Sequence, residues 1–292
     1  MTPEGKMLIM LAGLSHVEGQ GKMAALMATA IRDQPDMVLY NRALAEYSSV
    51  VGDMQFFGLG RHEELLRVAK TDHVDVVVDF TLPATINRNA ELYCQYGMQF
   101  VMGTTGGDRQ LLVDTVKKSN ISAVIATNMA APIVMIQEMF RLAAENCPDV
   151  LDGYRLLIQE SHQSVKLDFS GTAISLLPRL KKLGMGEDVE RIEQSIKEKT
   201  FNHEKKLDPA ARMEREPLFQ QTNLGVPKEY LKGHAFHTYT MLSPDGMVKL
   251  EFTHNVLGRS VYVDGALRAI RFLTKHKGEK GKVFSMVDVL RG

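Results

Sequence analysis

Through its first 130 residues the chain repeats one pattern, a short apolar run followed by a longer segment with helical spacing, and that pattern leaves few folds open. Such alternation is how strand-helix-strand units of a parallel sheet read in sequence. MLIMLAG at 7–13 is the first expected strand, GKMAALMATAI at 21–31 the helix after it and MVLY at 37–40 the second strand. RHEELLRVAK at 61–70 reads as a helix, and VDVVVDF at 74–80 is a β-branched run of the kind buried on both faces of a parallel sheet. TINRNAELYCQYG at 85–97, with glycine as its stop, leads to FVMGTTG, and LLVDTVKKSN leads in the same way to ISAVIAT. These steps favour a Rossmann-like domain.

After Asn128 the texture changes to a helix over 132–146, the strand YRLLIQESH at 154–162, a glycine-serine turn and another helix. Prolines 209, 217 and 227 interrupt a polar stretch from 198 to 232, which predicts a long excursion with little regular structure. HAFHTYTML and MVKLEFTHNV are joined by Ser-Pro-Asp-Gly, a strong hairpin signal, and the amphipathic VDGALRAIRFLTKH predicts a last helix that packs back on a domain already formed. The expected fold class is therefore α/β, a Rossmann-like parallel-sheet nucleotide domain plus a second, α+β domain. A length of 292 residues suits two unequal domains, here 1–130 completed by 262–292, and 131–261.

Lysine plus arginine equals aspartate plus glutamate at 35 each, so no overall field draws the chain to nucleic acid or to an anionic membrane. Any anion site must be local. Cys94 and Cys147 match neither a disulfide framework nor a zinc knuckle, which fits a reducing compartment. The apolar start is too short for a membrane span and lacks a signal-peptide pattern, so the default is a cytoplasmic protein, or a plastid one if a transit peptide has been removed.

Gly13 ends the first strand, and Gly21, Lys22 and Met23 open the next helix, where backbone N–H groups at a positive helix end can meet a pyrophosphate. Seven residues separate the two glycines where the dinucleotide fingerprint has two, so the bare pattern is equally that of an ordinary strand-to-helix loop. After strand two stands Asn41-Arg42; with no acid there to bond ribose hydroxyls, and an arginine able to accept a further phosphate, NADPH is slightly favoured over NADH. DFT at 79–81 and GTTGG at 103–107 both follow strand ends, the edge where open α/β sheets bind ligands.

The densest group of reactive side chains is ESHQSVKLDFSGTA at 160–173. His162 can exchange a proton near neutral pH, Lys166 can bind a carboxylate, and Ser170-Gly171-Thr172 before a helix offers hydroxyl and backbone donors, a set suited to a small dicarboxylate. Glu160 and His162 lie two apart on a strand and share a face, where the acid can orient the imidazole; the bland alternative is a strand-end histidine bonded locally. His234 and His237 are three apart on a strand and point to opposite faces, and no zinc spacing accompanies them, so no metal is expected.

ESHQSVKLDFSGTA, VVVDFTLP, FVMGTTGG and HNVLGRS together resemble the 4-hydroxy-tetrahydrodipicolinate reductase family, in family order from about residue 7 to the end, with glutamine after the histidine as in plant-type members. The resemblance implies reduction of a cyclic imine dicarboxylate by NADPH or NADH, with His162 as proton donor and Lys166 beside it. It implies substrate binding by Gln163, Lys166, Ser170, Gly171, Thr172 and Arg259. On the cofactor side it implies Gly13, Gly21, Lys22, Met23, Phe80, Thr81, Gly103, Thr104, Thr105, Asn128 and Met129, joined by Arg42 from the strand reading. A homotetramer is implied as well. Two departures stand out: the residues inserted within LSHVEGQ, expected to lift the first glycine loop off the pyrophosphate, and Phe169 where the family has a small residue, expected to narrow the substrate pocket. A non-catalytic dinucleotide sensor of the same fold, or a reductase of a related imine, is the alternative reading.

Overall fold

The computed structural model describes residues 5–15, 17, 20–166, 168–201 and 206–292, without the side chain of Phe201. Most of the insertion in LSHVEGQ, and Leu167 of the long motif, lie outside the described residues. The chain divides into two compact units, Met1–Ala131 with Ser260–Gly292, and Pro132–Arg259.

In the first unit the strands are β1 (Met7–Ala12), β2 (Met37–Leu39), β3 (Arg42–Leu44), β4 (Ser49–Val51), β5 (Met54–Phe57), β6 (Val76–Asp79), β7 (Phe100–Met102) and β8 (Ser122–Ile125). Between them run the helices α1 (Lys22–Arg32), α2 (His62–Thr71), α3 (Ile86–Tyr96) and α4 (Arg109–Lys117). The second unit carries α5 (Ala131–Asn146), β9 (Arg155–His162), α6 (Gly171–Lys182), α7 (Gly186–Phe201), β10 (Ala211–Glu214), α8 (Pro217–Thr222), β11 (His234–Leu242) and β12 (Lys249–Leu257). The chain then returns to the first unit with α9 (Val261–Lys275), β13 (Lys282–Phe284) and α10 (Met286–Arg291).

The apolar runs form the middle of a parallel sheet ordered β13-β8-β7-β6-β1-β3-β5-β4, with β2 also beside β1 and, at one edge, β4 antiparallel to β5. Ile9 to Ala12 and Val76 to Val78 are wholly buried, as strands covered on both faces must be. α3 ends on Gly97 in the left-handed conformation, the stop read from the sequence. Helix α9, the one expected at 263–276, turns Ala266, Ala269, Ile270 and Leu273 inward, and Gly265 sits where a Cβ would lie 1.8 Å from the Met129 carbonyl oxygen.

Residues 41–57, read without strands, hold β3, β4 and β5, each too short to show a period. They also correct the second strand. β1 pairs first with β2 over Met7 to Ile9 and then with β3 at Ala12–Leu44, so the strand beside β1 ends at Leu44, not at Tyr40. The residues that follow it are Ala45 and Glu46.

The second unit's sheet runs β10-β9-β11-β12, with β9 and β11 antiparallel and the predicted hairpin joining β11 to β12. On one face Leu156, Ile158, Tyr239 and Met241 meet Ala173, Leu176, Leu177 and Leu180 of α6 and Val189 and Ile192 of α7. Each buried leucine contributes on the order of 2 kcal/mol. Phe169 is buried in this core at 4% exposure; its ring fills the interior, which removes the expected reason for a narrowed pocket. The 198–232 stretch carries the end of α7, β10 and α8, more regular structure than the prolines predicted.

Candidate functional site

In the first unit, the ends of adjacent strands are stitched together: Gly13 N–H donates to Leu44 O at 2.9 Å, Phe80 N–H to Ala12 O at 3.0 Å and Gly103 N–H to Asp79 O at 2.9 Å. The loops beyond line a cleft of ≈ 370 Å³ that includes Gly13, Ser15, Gly21, Glu46, Phe80 and Thr81. Gly13 and Gly21 both have positive φ, and a Cβ on Gly13 would lie 2.4 Å from Phe80 O while one on Gly21 would lie 2.7 Å from Gly13 O. Glycine is therefore required at each for backbone reasons. Among the described residues no side chain caps α1, and no acid sits in its first turn, so its leading N–H groups form the positive end of the helix dipole beside the cleft.

The DFT loop is held from beneath. Asp79 is fully buried and accepts from Thr81 N–H at 2.9 Å, Thr81 Oγ1 at 2.6 Å, Asn89 Nδ2 at 3.0 Å and Tyr93 Oη at 2.8 Å. Burial and the neighbouring Asp79 hold the Tyr93 phenol well above its ordinary range, so it donates. Thr104 Oγ1 donates to Thr81 O at 3.0 Å, joining the second threonine loop to the first.

In the second unit, the sheet face that carries the core becomes polar at its end. Glu160 and His162 follow Leu156 and Ile158 at the strand period, and across the sheet Glu160 pairs in register with His237, which pairs with His254. The His162 and His237 rings meet edge to face at 5.0 Å between centroids, and His237 stacks on His254 at 4.6 Å.

Glu160 is fully buried. Its Oε1 accepts from Arg215 Nη2 at 2.5 Å and its Oε2 from Ser170 N–H at 2.8 Å, while His162 Nε2 stands 3.8 Å from Oε2 without a hydrogen bond. The acid shares the face of the histidine as read from the sequence, but its partners are Arg215 and Ser170. Burial pushes the Glu160 carboxyl up, with Arg215 pulling the other way. Burial, reinforced by the charges of Arg215 and Lys166, pushes His162 down to about 3, so its ring is neutral at neutral pH.

Arg215 also donates from Nε to Lys166 O at 2.9 Å, and Gln220 Nε2 donates to His162 O at 2.7 Å. Lys166 Nζ reaches the exposed Asp168 at 2.6 Å. Ser170 caps α6 by accepting from Thr172 N–H at 3.2 Å. His234 faces elsewhere: its Nδ1 must donate to Tyr230 O, so its Nε2 accepts from Ser161 Oγ at 2.8 Å.

Two models of the dihydrodipicolinate reductase family match the chain end to end, the N-terminal one over residues 9–129 and the C-terminal one over 133–290. The chain belongs to the dihydrodipicolinate reductase family. It is 42% identical over 232 residues to the probable 4-hydroxy-tetrahydrodipicolinate reductase 1, chloroplastic, of Oryza sativa subsp. japonica, covering 78% of this chain and 62% of that protein. To 4-hydroxy-tetrahydrodipicolinate reductase 2, chloroplastic, of Arabidopsis thaliana it is 42% identical over 219 residues, 74% of this chain and 57% of that one. These alignments thus span about three fifths of the plant relatives' length.

Among solved structures, the dipicolinate-bound dihydrodipicolinate reductase from Paenisporosarcina sp. TG-14 superposes with a TM-score of 0.62 at 16% identity, over 97% of this chain and 98% of that one. The C. glutamicum DAP dehydrogenase in complex with DAP does so at 0.52 and 12%, over 97% and 94%. At these identities the likeness is one of fold, and it agrees with the Rossmann-like sheet expected for this reductase family.

Of the cofactor residues named from sequence, Gly13, Gly21, Phe80 and Thr81 line the strand-end cleft of this family member. Gly103 packs on the Phe80 ring, where a Cβ would lie 2.3 Å from Cε1, with Thr104 buried behind it and Thr105 exposed. Lys22, Met23 and Arg42 are not among the cleft's lining residues. Arg42 instead pairs with Asp72 at 2.8 Å and donates to Tyr40 Oη at 2.6 Å. Asn128 Oδ1 accepts from Ala130 N–H at 2.9 Å and Met129 is buried. In the second unit His162, Lys166 and Ser170 gather around Glu160 and Arg215; Gln163 accepts from Lys166 N–H at 3.0 Å, closing the turn between them, and Arg259 follows the end of β12. Glu46 in the cleft and Arg215 and Gln220 beside His162 are residues the sequence reading did not name, and His237, which it considered only as a metal ligand, stands opposite Glu160. Among the described residues, no helix is long and apolar enough to cross a membrane.

Proposed function

We propose that this protein is a 4-hydroxy-tetrahydrodipicolinate reductase that reduces a cyclic imine dicarboxylate with NAD(P)H. The observation that carries the reading is the buried Glu160-Arg215-His162 group with Lys166 at its margin, in a chain whose relatives bear that name. Lysine biosynthesis by the diaminopimelate route follows from the same activity. The 1–131 and 260–292 unit then serves as the nucleotide domain and the 132–259 unit as the substrate domain.

The cleft fits a dinucleotide on its own geometry, because both glycines leave backbone room that any Cβ would fill and α1 is uncapped. Gly13, Gly21 and the first N–H groups of α1 would hold the pyrophosphate, with Phe80, Thr81 and Gly103 to Thr105 beside it. When bound, the reduced nicotinamide supplies the hydride. Glu46, just past the strand beside β1, stands in the place from which an acid bonds ribose hydroxyls. This reading favours NADH and replaces the preference for NADPH drawn from Asn41-Arg42.

On the substrate side, the Lys166–Asp168 pair is exposed at Asp168, so exchanging that carboxylate for a substrate carboxylate costs about 0–1 kcal/mol. Ser170, Gly171 and Thr172 at the start of α6, with Gln163 and Arg259, would take the remaining carboxylate oxygens. The neutral His162 ring sits in a field made positive by Arg215 and Lys166. Two incoming carboxylates oppose that field and raise the ring's proton affinity against the larger effect of burial, so substrate binding favours the proton that His162 passes to the substrate. Gln220, by holding the His162 carbonyl, fixes where the ring stands.

Apolar Leu242, Leu250 and Leu257 on β11 and β12, with Met247 and Val248 in the turn between them, are exposed and support a homotetramer formed through this sheet, for which light scattering on the purified protein is the check. The chloroplastic names of the plant relatives support a plastid location in place of the cytoplasmic default. The activity is tested by adding enzymatically generated substrate and following absorbance loss of NADH and NADPH separately. Substrate-dependent oxidation, faster with NADH, is expected; none with either, from folded protein and with a working control enzyme, would sink the reading in favour of a non-catalytic sensor or another imine.

A further inference from the structure

The register of β9 against β11 sets Glu160 directly opposite His237, and the strand period brings His162 to the same face. Glu160 Oε2 lies 3.8 Å from His162 Nε2 and 3.9 Å from His237 Nε2, and one ligand atom from each of the three residues lies within 4.8 Å of the other two. All three side chains are buried, at 0%, 5% and 2% exposure. His162 Nε2 and both ring nitrogens of His237 lack a hydrogen-bond partner among the described residues. Buried polar atoms are ordinarily paired, and the reduction described above uses a proton on one ring only, so the convergence of these nitrogens on one carboxylate oxygen calls for a ligand of its own.

We propose that Glu160, His162 and His237 form a three-ligand site for a divalent transition-metal ion of the zinc type, whose binding blocks protonation of His162. Only the blocking clause rests on the reading of His162 as the proton donor; the site itself does not.

Two imidazoles and a carboxylate are a donor set of open tetrahedral zinc sites, with bonds of about 2.0–2.2 Å. Ligand atoms around such an ion stand roughly 3.4 Å apart from that bond length, so the two carboxylate–imidazole spacings of 3.8 and 3.9 Å close by about half an ångström and the ring-to-ring spacing, within 4.8 Å, by at most about 1.4 Å. Both rings are neutral at neutral pH, because burial pushes His237 as well as His162 down, and a neutral ring is the form that binds a metal. The carboxylate is already oriented, with Arg215 on Oε1 and Ser170 N–H on Oε2, as ligand carboxylates usually are. The Arg215 charge opposes a cation, which favours a reversible site over a permanent one.

The test uses the full-length protein, stripped with a chelator and titrated with Co²⁺ while visible d–d absorption is recorded. One equivalent with the intense bands of a low-coordinate ion, displaced by Zn²⁺, is expected; the bands should vanish in Glu160→Gln and His237→Asn and persist in the surface variant His73→Ala. Bands absent from wild type, or unchanged in His237→Asn, would overturn the site. Should either variant fail to fold, ring-proton NMR of the wild type decides: signals of His162 and His237 must shift together with one equivalent of Zn²⁺, and shifts confined to other histidines would overturn it. NADH oxidation is followed in the same titration. Inhibition in step with the bands supports the blocking clause, and full activity with the metal bound overturns that clause while the site stands.

Discussion

Arg215 Nη2 donates to Glu160 Oε1 at 2.5 Å, so the buried acid takes its cation from a residue 55 positions further on and not from the histidine two positions away. Removing the guanidinium in Arg215→Met leaves a buried carboxylate without its charge partner. A loss of about 3–5 kcal/mol is expected from urea unfolding, and the double variant with Glu160→Gln should recover much of it. Additive losses would show that the pair is not coupled.

The histidines of the second unit make stability depend on acid. Burial pushes His162 down to about 3 and His254 to about 4, and His237 well below its usual range. A depressed folded value contributes stability that is complete above the unfolded value near 6.5 and is lost as pH falls toward the folded one. Each ring should therefore cost about 1.4 kcal/mol per pH unit below roughly pH 6. Burial lowers His234 as well, and Glu160, pushed up, works in the opposite sense, so the net slope from urea titrations between pH 6.5 and about 4.5 is expected to fall short of the four protons these rings take up. His254→Asn should reduce it by about one.

For the reaction itself, His162→Gln is expected to lower kcat by about 10²–10⁴-fold while NADH binding, read by fluorescence, stays within a few-fold. Calorimetry in buffers of differing ionisation enthalpy should register proton uptake on substrate binding in wild type and none in this variant. Unchanged kcat would remove His162 from its role.

Glu46 offers a separate test of the cofactor. Glu46→Gln should raise the KM for NADH by roughly tenfold, the loss of about 1.4 kcal/mol, with little change for NADPH. A rise of the same size for both cofactors would remove Glu46 as the residue that sorts them.

Gly265→Ala sits within a helix, where the change would ordinarily stabilise by up to about 1 kcal/mol. Here the new Cβ would lie 1.8 Å from Met129 O, so a net loss of about 1–3 kcal/mol and a lower Tm are expected.

The central strands were legible because a strand buried on both faces must be an unbroken apolar run, as 76–78 and 100–102 are. β3 to β5 were not, since three or four residues with polar breaks show no period; missing them set the end of the strand beside β1 at Tyr40 and not at Leu44. β10 is an edge strand with only Ala211 buried, hidden among prolines. In the site, Glu160 and His162 were legible from spacing along one strand. His237 was weighed only against His234 on its own strand, so its place opposite Glu160, set by cross-strand register, was not legible, and Gln220 meets His162 only through a chain reversal 58 residues long.

β13 joins the parallel sheet beside β8, although more than 150 residues of chain intervene, among them the whole of the second unit. During synthesis the unit of residues 132–259 is complete in the emerged chain before the first unit has its last strand and helix, so the part that begins later can finish folding earlier. Until β13 has emerged, β8 presents an unpaired edge, which leaves the nascent chain prone to mispairing throughout the synthesis of the second unit.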